Sequence, residues 1–344
     1  MKPILAISIG CPCGIGPEVA VQAAATVDDA LCLLVGDLGV LQRAARIVGI
    51  PPERLVPVKD PATAASQLVD RPGAIPVYVP GSPLDLSQAP FGHPTPEAGR
   101  AQLLWIDTAA GITRAGIAQA LVTGPVSKHA ILSSGAGPEA ARFLGHTEHL
   151  ARMLGAEAVT MAFASEELIV GLVTTHLPLR LVPSAITREE VARATVHVAE
   201  FAARLLSARP RIAVASLNPH AGEEGALGGE EAAQIAPGIE LARERLRERG
   251  VEAEIIGPIG AESAIRLAYR RQRFDAAVAM YHDQATVPMK LIGFGEAVNV
   301  TLGLPIVRTS VDHGTAYDLA GTGRASPEGM RAAIRLATRL CHQG

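Results

Sequence analysis

Aromatic side chains are scarce in this chain: six Phe, four Tyr and one Trp, or 3% of 344 residues. The core must therefore be built from Ala, Val, Leu and Ile, and no basic patch interleaved with stacking aromatics is present for nucleic acid. Charge of one sign is also lacking. Lys and Arg number 31 against 34 Asp and Glu, and the net charge of -3 gives no field to gather nucleic acid. Long apolar runs are missing, and none approaches the roughly 20 residues of a membrane span. The run Ile4 to Ile9 after Lys2 is too short for the apolar region of a secretory signal, and Ser8 breaks the lipoprotein pattern before Cys11. The four cysteines, Cys11, Cys13, Cys32 and Cys341, have no C-x-x-C spacing and read as free thiols of a reducing cytoplasm. The G-x-G-x-x-G dinucleotide turn and the G-x-S-x-G nucleophile elbow are both absent.

What remains is a globular composition, 48% hydrophobic and 19% charged, on a chain long enough for two domains. Strands are predicted at Ile4 to Ile9, Leu31 to Val35, Ile75 to Val79, Ala118 to Thr123, Thr160 to Ala164, Leu168 to Thr174, Ile212 to Ser216, Glu252 to Ile256 and Ala276 to Met280. Helices are predicted from about Pro17, over Leu38 to Val48 and Pro96 to Ala115, and from the Thr187-x-x-Glu190 capping box to about Ala208. Further helices are predicted over Glu230 to Arg249, over Ala261 to Arg271, and from Ser326 through Cys341. Strands alternating with helices at this spacing predict an α/β fold with a mostly parallel sheet.

Three histidines share one local setting. His176 (TTHLPL), His220 (NPHAGE) and His282 (YHDQ) each follow an apolar strand, and parallel strands would align them along one sheet edge. Any one alone reads as a hydrogen-bonded loop histidine; three in the same setting point to a shared cation with positions left for substrate. His146, in LGHTEHL, precedes a helix for which Thr147 is a candidate N-cap. His149, by contrast, reads as a surface or packing residue.

The stretch from Tyr281 to Gly323 is poor in core-building pattern and rich in polar groups between glycines. Lys290 and Arg308 stand among apolar residues with Asn299 between them, a set suited to phosphate or carboxylate.

Taken together, GIGPE, LVTGPVSK, GHTE, TTHLPL, NPHAGE, YHDQ and NVTLGLPIVRTSVDHGTA resemble the 4-hydroxythreonine-4-phosphate dehydrogenase family of vitamin B6 (pyridoxine) synthesis, nearly end to end. The resemblance implies two α/β domains with a cleft between them, like isocitrate and isopropylmalate dehydrogenases, without the ordinary Rossmann fingerprint. It implies a discontinuous cofactor-side domain, 1–126 plus 307–344, and a second domain, 127–306, carrying metal, substrate and dimer interface. It further implies a divalent metal (Zn, Mg or Co) on His176, His220 and His282, in a site shared across a homodimer. The small anionic substrate falls to His146, Thr147, Lys290, Asn299 and Arg308, and NAD or NADP to His313, Gly314 and Asp318. Asp283 and Lys290 are the candidates for general base. The implied reaction is oxidation of a secondary alcohol followed by decarboxylation.

The chain departs from the family pattern in three places. Cys11 stands where the first turn usually carries an acidic residue, with Cys13 where Ala is common; Gly260-Ala261-Glu262-Ser263 replaces P-A-D-T; and Ser133 to Arg142 resembles an insertion. Relatives acting on 4-phosphoerythronate or on the cis-dihydrodiol of terephthalate supply alternative substrates, and a metal- and anion-binding paralogue without turnover supplies a non-enzymatic alternative.

Overall fold

The computed structural model describes residues 2–206, 209–293 and 295–343. Its strands are β1 (Ile4–Ser8), β2 (Leu31–Val35), β3 (Leu55–Val58), β4 (Ile75–Tyr78), β5 (Ala120–Thr123), β6 (Thr160–Ala164), β7 (Ile169–Leu172), β8 (Arg211–Ala215), β9 (Glu254–Ile259), β10 (Ala276–Ala279), β11 (Val298–Leu302) and β12 (Val307–Val311). The chain divides into two compact units. One comprises Met1–Glu157 with Leu304–His342, and the other is built on Ala158–Gly303.

In the first unit the strand order is β3-β4-β2-β1-β5-β12, parallel throughout. Its central strands are apolar and buried at nearly every position, as both faces of a helix-covered parallel sheet require. The helix Pro96–Arg114 starts where its sequence signals it: the Thr95 hydroxyl accepts from the Ala98 N–H at 3.1 Å, and Pro96 fills the first turn. The edge strand β3 escapes the apolar pattern because Pro57 interrupts it, which an edge position tolerates.

The first unit continues to Glu157, past the boundary expected after 126. The reason is packing. At Gly99, in the helix Pro96–Arg114, a Cβ would lie 2.0 Å from the Ala130 carbonyl oxygen, so the segment after β5 sits directly against that helix. Buried His149 then pairs with Asp107 of the same helix at 2.5 Å.

In the second unit the order is β11-β6-β7-β10-β8-β9. Strands β7, β10, β8 and β9 are parallel, and β6 is antiparallel to both neighbours. The core cluster here joins Phe163, Leu168, Val170 and Leu172 to Phe274, Ala277, Ala279 and Met289. The helix Arg188–Leu206 covers this sheet; the end expected near Ala208 falls outside the described residues. The helix expected from Glu230 is a π-turn over Glu231–Ile235 and then an α-helix from Ala236, with Pro237 in its first turn. The expected helix to Arg271 stops at Ala268; Tyr269 leaves the helical conformation, and Arg270 and Arg271 both have left-handed φ of 52°.

The stretch from Tyr281 contributes more to the cores than its composition indicated. His282–Ile292 is a helix despite Pro288, and β11 and β12 are largely buried strands in which Asn299 and Arg308 interrupt the apolar pattern.

Candidate active site

In the second unit, β7, β10 and β8 are adjacent and parallel, so His176, His282 and His220 all lie past the same ends of neighbouring strands. Two polar side chains stitch those ends together. The Thr174 hydroxyl donates to the Met280 carbonyl at 2.8 Å. Gln284 accepts from the Met280 N–H at 2.8 Å and donates to the Ser216 carbonyl at 3.0 Å. The result brings two of the three histidines together: the rings of His176 and His282 have centroids 5.6 Å apart, inclined by 44°.

The Nδ1 of His282 is 2.7 Å from the Asp283 carboxylate and 3.3 Å from the Thr286 hydroxyl. That fixes the ring and directs Nε2 outward, the arrangement found behind metal-binding imidazoles. Asp283, a candidate base, is thus engaged in orienting His282. Lys290 lies about two turns further along the same helix and is exposed, while Asn299 on β11 is half-buried.

His220 is not drawn into this pair. It begins a run with positive φ, His220, Ala221, Gly222, Glu223, Glu224 and Gly225, and its side chain is exposed. Left-handed backbone at a non-glycine residue costs about 1–2 kcal/mol, so something must hold the run. Buried Glu231 does so at its base, accepting from the Leu217 and Asn218 N–H groups at 2.9 and 2.8 Å and from the Asn218 side-chain amide at 3.0 Å. Among the described residues no group of three or more His, Cys, Asp or Glu side chains is placed to hold a metal ion.

The first unit supplies an anion-attracting set. Arg308 on β12 is only 3% exposed, and its Nη2 donates to the Thr123 hydroxyl at 2.7 Å. Burial pulls the guanidinium down to a pKa of about 9, with Glu148 opposing that fall, so it stays charged at neutral pH. His146 opens the helix His146–Leu154 after the extended glycine Gly145, which takes the cap position expected for Thr147; Thr147 lies within the first turn. The ring stands edge-on to Phe143, and its Nε2 is buried with no hydrogen-bond partner among the described residues. Burial, followed by the charges of Arg308, His149 and Lys128, holds its pKa well below the usual histidine value, and the ring is neutral near pH 7. A neutral imidazole beside a buried guanidinium can accept or donate one hydrogen bond to a bound phosphate or carboxylate.

His313 uses Nδ1 toward the Gly314 carbonyl at 3.0 Å, and its buried Nε2 has no partner among the described residues. Gly314 and Asp318 are exposed beyond it. Cys11, where an acidic residue was expected, is buried with its Sγ 3.6 Å from the Tyr317 hydroxyl. A hydrogen bond from Cys13 lowers the Cys11 pKa, outweighing burial.

Sequence spacing gave no sign of Thr174, Gln284 and Glu231 as organisers of the strand ends, because their partners are distant in sequence or are backbone atoms.

The description "pyridoxal phosphate biosynthetic protein PdxA" belongs to a family model that matches residues 28–337. The chain belongs to the PdxA family. It is 43% identical over 341 residues to a 4-hydroxythreonine-4-phosphate dehydrogenase of Desulfosudis oleivorans, covering 98% of this chain and 95% of that protein. The crystal structure of the Klebsiella pneumoniae 4-hydroxythreonine-4-phosphate dehydrogenase is similar with a TM-score of 0.83 at 33% identity, covering 99% of this chain and all of the other. A terephthalate 1,2-cis-dihydrodiol dehydrogenase of Burkholderia xenovorans LB400 is similar at 31% identity with a TM-score of 0.66, each chain covered to 98%. Among the described residues no helix is long and apolar enough to cross a membrane.

Proposed function

We propose that this PdxA-family chain is a metal-dependent NAD(P) dehydrogenase. It oxidises the secondary alcohol of 4-hydroxythreonine 4-phosphate, and decarboxylation follows. The observation that carries the reading is the His176–His282 pair at the stitched ends of β7 and β10. An imidazole bound to zinc through nitrogen has its centre about 3.2 Å from the ion, so two such rings at a tetrahedral angle lie about 5.2 Å apart. The separation of 5.6 Å fits that arrangement.

His220 is assigned as the third ligand, with the site completed by a second copy of the chain. Support comes from its exposure and from the bare apolar side chains of the same unit: Leu179 is 70% exposed and Leu291 82%, with Leu177, Leu181 and Val287 also exposed. The unbridged thiols of Cys11, Cys13 and Cys32 suit a cytoplasmic protein.

When bound, a divalent cation supplies Lewis acidity at the substrate hydroxyl, and a nicotinamide dinucleotide accepts the hydride. The chain's own residues do the rest. Asp283 holds the Nδ1 proton of His282 and so keeps its Nε2 free as a ligand atom. Substrate contact is assigned to His146, Thr147, Lys290, Asn299 and Arg308. Cofactor contact is assigned to His313, Gly314 and Asp318; the buried, unsatisfied Nε2 of His313 fits a polar ligand. Lys290 remains the candidate for general base, since Asp283 is committed to His282.

The test is NAD(P)+ reduction by metal-loaded protein with 4-hydroxythreonine 4-phosphate and, separately, with a terephthalate cis-dihydrodiol. The second substrate is included because of the similarity to a dihydrodiol dehydrogenase. Turnover of the phosphate ester is expected; turnover of the dihydrodiol alone would replace the substrate, and turnover of neither would leave a binding protein.

A further inference from the structure

Glu18, in the first turn of the helix Gly16–Ala24, is 1% exposed. A carboxylate so buried costs several kcal/mol unless hydrogen bonds replace its water. Both of its oxygens are used. Oε1 accepts from the Gly321 N–H at 2.7 Å and Oε2 from the Gly323 N–H at 3.1 Å, some 300 residues away in sequence. The amino-terminal position of Glu18 on its helix adds a favourable dipole. Both glycines have left-handed φ, 80° and 69°, and at Gly321 a Cβ would lie 2.5 Å from the Phe91 ring.

Two more contacts tie the same turn to the same distant segment. The Ile15 N–H donates to the Thr315 carbonyl at 3.0 Å, and Cys11 Sγ meets the Tyr317 hydroxyl. The chain from Thr315 to Gly323 is therefore pinned on either side of Asp318, all within the first unit. A segment of sequence LAGTG has little internal reason to keep one shape, and ordering it at the moment of binding would weaken any ligand.

We propose that Glu18 is a positioning residue for the dinucleotide: it pre-orders the segment that carries Asp318 and follows His313 and Gly314. This rests on the assignment of that segment to the cofactor. Glu18→Gln keeps the volume and one acceptor but turns an amide NH2 toward one of the two glycine donors. The KM for the dinucleotide should rise roughly ten-fold, with kcat at saturating dinucleotide changed by less than about two-fold. The inhibition constant for inorganic phosphate should be unchanged. Hydrogen exchange provides a readout that needs no variant: adding NAD+ or NADP+ to the wild-type chain should slow the amides of residues 315–323.

A folded Glu18→Gln protein with an unchanged dinucleotide KM overturns the proposal. So does a parallel loss of kcat, KM and thermal stability, which marks a merely structural residue. Exchange over 315–323 that ignores a dinucleotide shown by calorimetry to bind overturns it as well, while leaving the dehydrogenase reading intact. A wild-type chain that binds no dinucleotide brings down both.

Discussion

Arg308→Lys looks conservative, and the structure predicts that it is not. Arg308 is 3% exposed, and burial brings its guanidinium down to about 9. The same environment acting on a lysine, which starts near 10.4, would bring it to about 7. At pH 8 the arginine is still charged, whereas the lysine would be mostly neutral and would have lost the planar fork that grips an anion. Losing a charge-assisted bond to a phosphate is worth about 2–3 kcal/mol, or roughly 30- to 150-fold in KM. The sign with pH follows. Wild-type affinity for the anion should hold from pH 6 to pH 8, because the guanidinium stays charged there. The variant should be weak at pH 8 and recover part of its affinity toward pH 6. His146 does not confuse the comparison, because its pKa lies well below 6.5 and it remains neutral there. Substrate phosphate itself titrates near 6, so the informative quantity is the ratio of variant to wild-type KM across pH, from initial rates of NAD(P)+ reduction. A variant with wild-type KM at pH 8, or a ratio that does not change with pH, refutes the reasoning.

Two other predictions concern the scaffold. His197 is drawn down to about 4, first by burial and then by Arg193 and Arg249. It is neutral in the fold, so its contribution is complete above the unfolded value of about 6.5 and is lost as pH falls from there toward 4, by on the order of 3 kcal/mol. Urea unfolding at pH 7 and pH 4.5 should show a smaller pH penalty for His197→Gln than for wild type; equal penalties would contradict it. Gly99→Ala places a Cβ 2.0 Å from the Ala130 oxygen. It should destabilise the first unit by about 2–4 kcal/mol, and an unchanged melting temperature would count against that close approach.

The parallel strands were legible because each is a short apolar run bounded by turn residues, and β2 and β6 fall where such runs begin and end. Strands β3, β11 and β12 were not, since Pro57, Asn299 and Arg308 interrupt the pattern that would announce them. The helix after Tyr281 was hidden by Pro288, and no linker composition marked the boundary at Glu157. For the site, placement past strand ends could be read directly, because the strands that precede His176, His282 and His220 are themselves legible. What could not be read is pairing across long separations: Glu18 with Gly321, Gln284 with Ser216, His149 with Asp107. Nor does the local sequence of His220 announce a left-handed turn, for which only Gly222 and Gly225 are congenial among the six residues 220–225.

The most direct test of the central claim is the metal content of His220→Ala beside wild type, measured by elemental analysis on the same preparations used for turnover. The proposed three-histidine site predicts that bound divalent metal and dehydrogenase activity disappear together. Full activity in a variant that retains no metal would contradict it.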